Sequence, residues 1–266
     1  MEFPHEISSW EDRDVSELRA QWQVPQLHIL SVTASTNDDV RRLGEEGAES
    51  GAIVIAERQT AGRGRRGRHW HGTPGQSLHF SMLLRPPPAG FRCLGAAPVR
   101  VGLVALRALR EQAGLLVQLK WPNDLVRGRR KLGGILCESV LGQNPFMVIG
   151  IGLNIGQTQS DFPPELHALA TSLALETGQA VPRADIAGGL AQGLCTTAEV
   201  IAEPFQQDEL DAIIASDALR GHAIEIDGEA VGTALGINEE GALLLRTSHG
   251  IRVVHTGTAR VADSVS

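Results

Sequence analysis

Apolar residues recur along this chain with two different periods, and each switch between the periods marks the edge of an element. "LHILSV" at 27–32 reads as a strand, and "STNDDVRRLGEEG" at 35–47 opens on N-cap residues and closes on glycine, which predicts a short helix. The apolar run "AIVIAE" at 52–57 predicts a buried strand; "SLHFSMLL" at 77–84 alternates, reads as a strand and is ended by "RPPPAG" at 85–90. Apolar residues at helical spacing in "APVRVGLVALRALREQAG" (97–114) predict a long amphipathic helix stopped by glycine. "VQLKWPNDLV" (117–126) and "KLGGILCESV" (131–140) read as two strands separated by "RGRR", and "FMVIGIGLNI" (146–155) as another buried strand. Helices are expected over 165–215, most clearly in "ADIAGGLAQGLCTTAEVIA", and a short one in "VSELRAQW" (15–22) within the polar first 26 residues. From about residue 219 short alternating strands lie between Asp-Gly, Glu-Gly and His-Gly turns, the pattern of a small antiparallel barrel.

Composition narrows the class. With 266 residues, 42% hydrophobic and 21% charged, the chain is of globular type and long enough for one large domain or one domain plus a small module. No apolar run approaches the ~20 residues that span a bilayer, and the acidic N-terminus lacks the basic-then-apolar pattern of a secretory signal. Cys93, Cys137 and Cys195 are widely spaced and odd in number, which argues against a disulfide framework or a zinc knuckle and predicts a reducing, cytoplasmic setting. A formal net charge of -7 disfavours broad electrostatic binding to nucleic acid.

Against that acidic background "GRGRRGRHW" at 62–70 concentrates four arginines among three glycines. Glycine lets backbone adopt positive φ and approach a ligand closely, and arginine presents a fixed fork of donors to phosphate or carboxylate oxygens. A strand leads into the run and Trp70 closes it, the character of a loop that wraps an anion. It is not the phosphate loop of nucleotide triphosphatases, since no Gly-Lys-Ser/Thr follows. A solvated basic loop or a nucleic-acid contact are the alternatives. Three further segments follow: "KWPND" (120–124), "KLGGIL" (131–136) and "GIGLNI" (150–155). Singly they read as a turn, a bulge and a strand end, with Lys131 an edge residue whose stem lies along apolar surface. Their combination and order with the arginine loop resist that reading. Cys137 reads as a small buried strand residue, and His69 and His71 as loop surface.

On "STN" at 35–37, "QTAGRGRRGRHW" at 59–70, "KWPND", "KLGGILCE" and "GIGLN", the chain resembles the biotin protein ligases, over about residues 27–265 because "GINEEGALLL" is similar to their small C-terminal domain. The resemblance implies an α+β fold: a mixed β-sheet flanked by helices, with a small C-terminal SH3-like β-barrel. It divides the chain into an N-terminal extension (1–26), a catalytic domain (27–218) and a C-terminal domain (219–266). It implies an ATP-dependent reaction in two steps, with biotin activated as biotinyl-5′-AMP and then transferred to a lysine of a biotin carboxyl carrier protein or biotin-dependent carboxylase. ATP with Mg²⁺ would be the co-substrate and biotin the substrate, with no tightly bound prosthetic group, no membrane partner, and a monomer or weak homodimer. Bifunctional members carry an N-terminal winged helix-turn-helix; only about 26 residues precede the catalytic domain here, so specific operator DNA is not an expected partner.

The same resemblance supplies site residues. Lys131, Arg63 and Arg65 are expected to be catalytic. Biotin is expected to meet Ser35, Thr36, Asn37, Gln59, Arg63, Gly64, Arg65, Trp70, Lys131, Gly134, Gly150 and Gly152. ATP is expected to meet Arg65, Arg68, Lys120, Asn123, Asp124, Lys131 and Asn154, with Mg²⁺ near Asp124. These residue types suit the chemistry. The ureido ring offers one carbonyl acceptor and two N–H donors to hydroxyl and amide side chains. Two anions that must meet need cations between them, and the adenylate needs shielding from water by a closing loop, so residues 62–70 are expected to order over it. Lipoate or octanoate attachment is the rival within the fold, and a nucleic-acid module using the Arg/Gly loop the rival outside it. Which of Arg65, Arg66 and Arg68 turns inward, and the role of Arg260, stay open at this level.

Overall fold

The chain opens with a hairpin, β1 (Ser9–Trp10) and β2 (Arg13–Asp14), followed by α1 (Val15–Trp22). Asp14 caps this helix, its carboxylate accepting from the N–H groups of Ser16 and Glu17. The computed structural model describes residues 3–87 and 91–262, so part of the proline-rich break at 85–90 lies outside the described residues. Trp10, Val15, Leu18 and Trp22 are buried in the main core. Residues 3–26 therefore contribute side chains to the core, and the hairpin is an element that the polar composition of this segment did not reveal.

β3 (Leu27–Leu30), α2 (Thr36–Glu45) and β4 (Ile53–Ala56) form a parallel βαβ unit, and all other pairings of the central sheet are antiparallel. β5 (Ser77–Leu84), β6 (Gln118–Lys120), β7 (Asp124–Arg127), β8 (Arg130–Val140) and β9 (Phe146–Asn154) complete seven strands in the order β3-β4-β5-β9-β8-β7-β6. α3 (Ala96–Ala113) lies between β5 and β6, and α4 (Leu173–Thr177), α5 (Arg183–Thr197) and α6 (Gln207–Ser216) follow the sheet, so the helical content expected over 165–215 is interrupted by turns. Leu78, Phe80, Met82 and Leu84 of β5 join the core that includes α3 and α5. The alternate residues Ser77, His79 and Ser81 point to the other face yet are also buried. A buried polar row on a strand needs partners, and it marks the floor of the site.

Two local features aim the site residues. "VQLKWPNDLV" is a hairpin rather than one strand: Pro122 has no N–H for a ladder, so the chain turns at Trp121–Asn123 between β6 and β7. Between β7 and β8 the register shifts, Leu125 facing Gly133 but Val126 facing Lys131, which leaves Leu132 as an extra residue. This bulge sends Leu132 into the core and turns Lys131 to the same face as Gly134.

The C-terminal region is an antiparallel sheet of β10 (Ala223–Ile226), β11 (Glu229–Ile237), β12 (Leu243–Thr247), β13 (Gly250–Val254) and β14 (Ala259–Val261), in the order β13-β12-β11-β10-β14. It is the small β domain expected there. The Trp121 indole N–H donates to Gly241 O at 2.9 Å, so this domain braces the turn that carries Asn123. No helix among the described residues is long and apolar enough to cross a membrane.

Candidate active site

A cleft lies on the polar face of the central sheet, between the N-terminus of α2, the arginine–glycine loop and the start of β14. At its inner end Ser35, Thr36 and Asn37 form the first turn of α2 and are buried. The Gln59 side-chain oxygen Oε1 accepts from the Thr36 N–H at 2.8 Å, and Ser35 makes no side-chain cap. Ser81 Oγ lies 2.7 Å from both Thr36 Oγ1 and Asn37 Oδ1, and Asn37 Nδ2 donates to Glu138 Oε2 at 2.8 Å. The result is a compact set of hydroxyl and amide groups offering both donors and acceptors.

Glycines give these side chains room. A Cβ on Gly150 would lie 2.1 Å from Asn37 Oδ1, and one on Gly152 would lie 2.5 Å from the Trp70 indole, which lies against the strand. Gly134, beside Gly152 in the ladder, faces the same indole. The Trp70 indole N–H is buried without an acceptor, a donor that remains to be satisfied. His79 lies in the next row; its Nδ1 is 3.0 Å from Ala56 O, and burial lowers its pKa. A neutral ring with its proton on Nδ1 leaves Nε2 as an acceptor.

The outer end is cationic. Lys131 Nζ lies 2.6 Å from Asp124 Oδ1 and 5.6 Å from the centre of the Trp70 ring. Arg65 turns inward and donates to Asn123 Oδ1 at 3.2 Å. Burial, then repulsion from Arg66, lowers the Arg65 pKa, against the pull of Asp124. Burial also lowers that of Lys120, and of the charges around Lys120 only Asp124 raises it, while Lys131, Arg260 and Arg68 lower it further. Arg260 is thus brought to this cluster. Cations outnumber carboxylates here, Asp124 and, for Arg65, Asp227 being the counter-charges, an excess of positive charge suited to polyanionic oxygen.

Of the residues expected from the sequence, most line this cleft: Ser35, Thr36, Asn37, Gln59, Gly64, Arg65, Arg68, Trp70, Asn123, Asp124, Lys131, Gly134, Gly150 and Gly152. Three stand differently. Arg63 borders the cleft, but its guanidinium is held by Glu138, at 2.9 and 3.1 Å, and by Asp38 at 2.7 Å, so its charge is offset at the rim. Asn154 lies outside the cleft walls, where Nδ2 donates to Thr171 O and Oδ1 accepts from Gln157. Lys120 contributes charge from behind Asp124, its neighbour in the β6–β7 ladder, rather than a lining surface. The sequence reading missed Glu138, which binds Asn37, Arg41 and Arg63 together, and the buried His79 and Ser81. Their signal was available: polar residues at every second position of an apolar strand.

Among the described residues no group of three or more His, Cys, Asp or Glu side chains could hold a metal ion. The donor set therefore does not suit a resident metal; Asp124 is the cleft's one carboxylate, and a Mg²⁺ arriving with a nucleotide would be held chiefly by phosphate oxygens and water. Burial and the adjacent Glu138 push the Cys137 thiol up to about 12, so it is not a thiolate nucleophile at neutral pH.

Residues 29–155 match the model of the biotin/lipoate A/B protein ligase family, and residues 223–259 that of the biotin protein ligase C terminal domain. The biotin–[acetyl-CoA-carboxylase] ligase of Mycobacterium tuberculosis is 34% identical over 242 residues, 87% of each chain. The bifunctional ligase/repressor BirA of Bacillus subtilis is 32% identical over 238 residues, 86% of this chain and 72% of that one. Among solved structures, the biotin protein ligase from Aquifex aeolicus in complex with biotin and ATP matches with a TM-score of 0.73 at 30% identity, covering 90% of this chain and all of that one.

Proposed function

Because the chain belongs to the biotin protein ligase family, we propose that its cleft carries out that family's chemistry with the residues described above. The protein activates biotin with ATP as biotinyl-5′-AMP and transfers the biotinyl group to a lysine of an acceptor protein. The acceptor is a biotin carboxyl carrier domain, as the name of the Mycobacterium tuberculosis relative suggests.

In this reading the ureido ring sits among Ser35, Thr36, Asn37, Gln59 and Ser81, where its carbonyl and two N–H groups meet donors and acceptors. The tail runs from Gly150 alongside the Trp70 indole, which itself lies against Gly152 and Gly134, and the carboxylate reaches Lys131 and Arg65. Biotin carboxylate attacks the α-phosphorus and pyrophosphate leaves; Lys131 and Arg65 offset repulsion between the two anions and the charge that grows on the α-phosphate. Lys120, Arg68 and Arg260 extend the positive field over the remaining phosphates. The acceptor amine then attacks the acyl carbon of the anhydride and AMP leaves. No enzyme nucleophile is needed.

The observation that carries the reading is the adjacency of a buried hydroxyl–amide pocket to a cluster in which cations outnumber carboxylates. It also favours biotin over lipoate: a dithiolane ring has no hydrogen-bonding groups, so it would leave the buried polar set unpaired, and sites built for polar groups reject such analogues strongly. Two of the loop arginines are engaged by carboxylates and a third faces inward, which speaks against a continuous nucleic-acid face on the loop. Pyrophosphate release tests the choice: the reading expects release from MgATP with biotin and none above background with lipoate, and the reverse would contradict it.

A further inference from the structure

The tip of the arginine–glycine loop is fastened to the C-terminal domain. The loop is a small hairpin, with Trp70 N–H donating to Gly62 O at 2.9 Å and Gly64 N–H to Arg68 O at 2.7 Å. At its tip Arg66 has φ 57°, a left-handed conformation unfavourable to a long side chain and sustained only where surrounding contacts fix it. That contact is an ion pair: the Arg66 guanidinium makes two parallel hydrogen bonds to Asp227, Nη2 to Oδ2 at 3.0 Å and Nη1 to Oδ1. Asp227 occupies the β10–β11 turn with Gly228, both at positive φ. It is itself fixed, because its N–H donates to Thr258 O and its Oδ1 accepts from Thr258 N–H at 2.9 Å. Gly257, Thr258 and Ala259 form one wall of the cleft, whereas Asp227 does not line it.

One carboxylate outside the sequence motifs thus joins the lid's tip to a wall of the cleft. We propose that Asp227 is a positioning residue that latches the loop over the activated intermediate by pairing with Arg66, so that the C-terminal domain sets how long biotinyl-5′-AMP is retained. This rests on the ligase reading. The competing view is that an exposed ion pair does nothing, as many do not. Bidentate geometry and the left-handed backbone at Arg66 weigh against it.

The test has two arms on the full chain. Hydrogen exchange of the Gly64 and Arg68 amides, in the absence of ligands, reads the latch directly. Asp227→Asn is expected to speed it about three- to fivefold, the upper range for an exposed pair, and high salt should speed the unsubstituted protein but not the variant. The second arm forms the adenylate from biotin and MgATP, then follows its release after dilution. Asp227→Asn should release it faster by a similar factor with its formation rate at saturating substrates unchanged, and Arg66→Ala should give the same two changes, with no further change in the double variant. Unchanged exchange in Asp227→Asn overturns the latch. Faster exchange with unchanged release overturns the retention role, and additive effects in the double variant assign Asp227 to mere structure. If the unsubstituted protein makes no adenylate, the ligase reading fails, and the exchange arm still judges the contact.

Discussion

On the proposed reading Lys131 and Arg65 would bring positive charge to the place where two anions react; Lys131 is paired with Asp124 alone, whereas Arg63 is held by both Glu138 and Asp38. Lys131→Ala and Arg65→Ala should each lower kcat/KM for adenylate formation by about 10²–10³, the range for removing one preorganised transition-state partner. Arg63→Ala should act more weakly, by loosening Glu138 and Asn37; steady-state pyrophosphate release gives all three values. Gly150→Ala should raise the KM for biotin about tenfold or more, because its Cβ would meet Asn37 Oδ1 and overpacking costs about 1–3 kcal/mol. The motif residues were legible in the sequence because their types state their chemistry. The direction each arginine faces was not legible. Four arginines in one run look alike until Glu138, Asn123 and Asp227, 58 to 161 residues away in sequence, select among them.

Elements, in turn, decide where those residues point. Strict alternation along β8 from Gly134 would turn Lys131 toward the helices; the bulge at Leu132 returns it to the cleft. "KLGGIL" suggested a bulge through its glycines, but the extra residue is the leucine before them. The strand signal in "VQLKWPNDLV" was likewise misplaced at Pro122, where the chain folds back. Between elements the strongest tie is Arg100 of α3, 1% exposed, which binds Glu209 through two nitrogens and donates to the carbonyls of Val200, Ile201 and Glu203. Arg100→Ala should destabilise the fold by about 3–5 kcal/mol, as expected when a buried pair loses one partner, and urea unfolding measures it. Nothing in the helical periodicity of 97–114 singles out this arginine, because its partners lie about 100 residues on.

At the scale of the molecule, the N-terminal hairpin, the central sheet and the C-terminal domain all contribute to one core, and the last two also wall the cleft. Partly buried carboxylates paired with arginine push the molecule's response to acid one way, while the buried Asp39 and Asp217, raised by burial, push it the other. Burial raises the pKa of Glu57 and Glu209, but hydrogen bonds from Arg183 and Arg100 outweigh it and leave both lowered. A carboxylate lowered in the folded state contributes stability above its unfolded pKa and loses it as pH falls through the folded value, since the unfolded chain then binds more protons. The contribution of Glu57 and Glu209 should therefore fall as pH drops below about 4.5, and Glu209→Gln should flatten that part of the profile in urea titrations. The acidic net charge and the cationic cleft are compatible because the cations are gathered by folding around two substrates that are themselves anions. Incubation with biotin, MgATP and a purified biotin carboxyl carrier domain, followed by intact-mass measurement of that domain, tests this most directly. One added biotinyl group, absent with Lys131→Ala, is the predicted result; an unmodified carrier would contradict it.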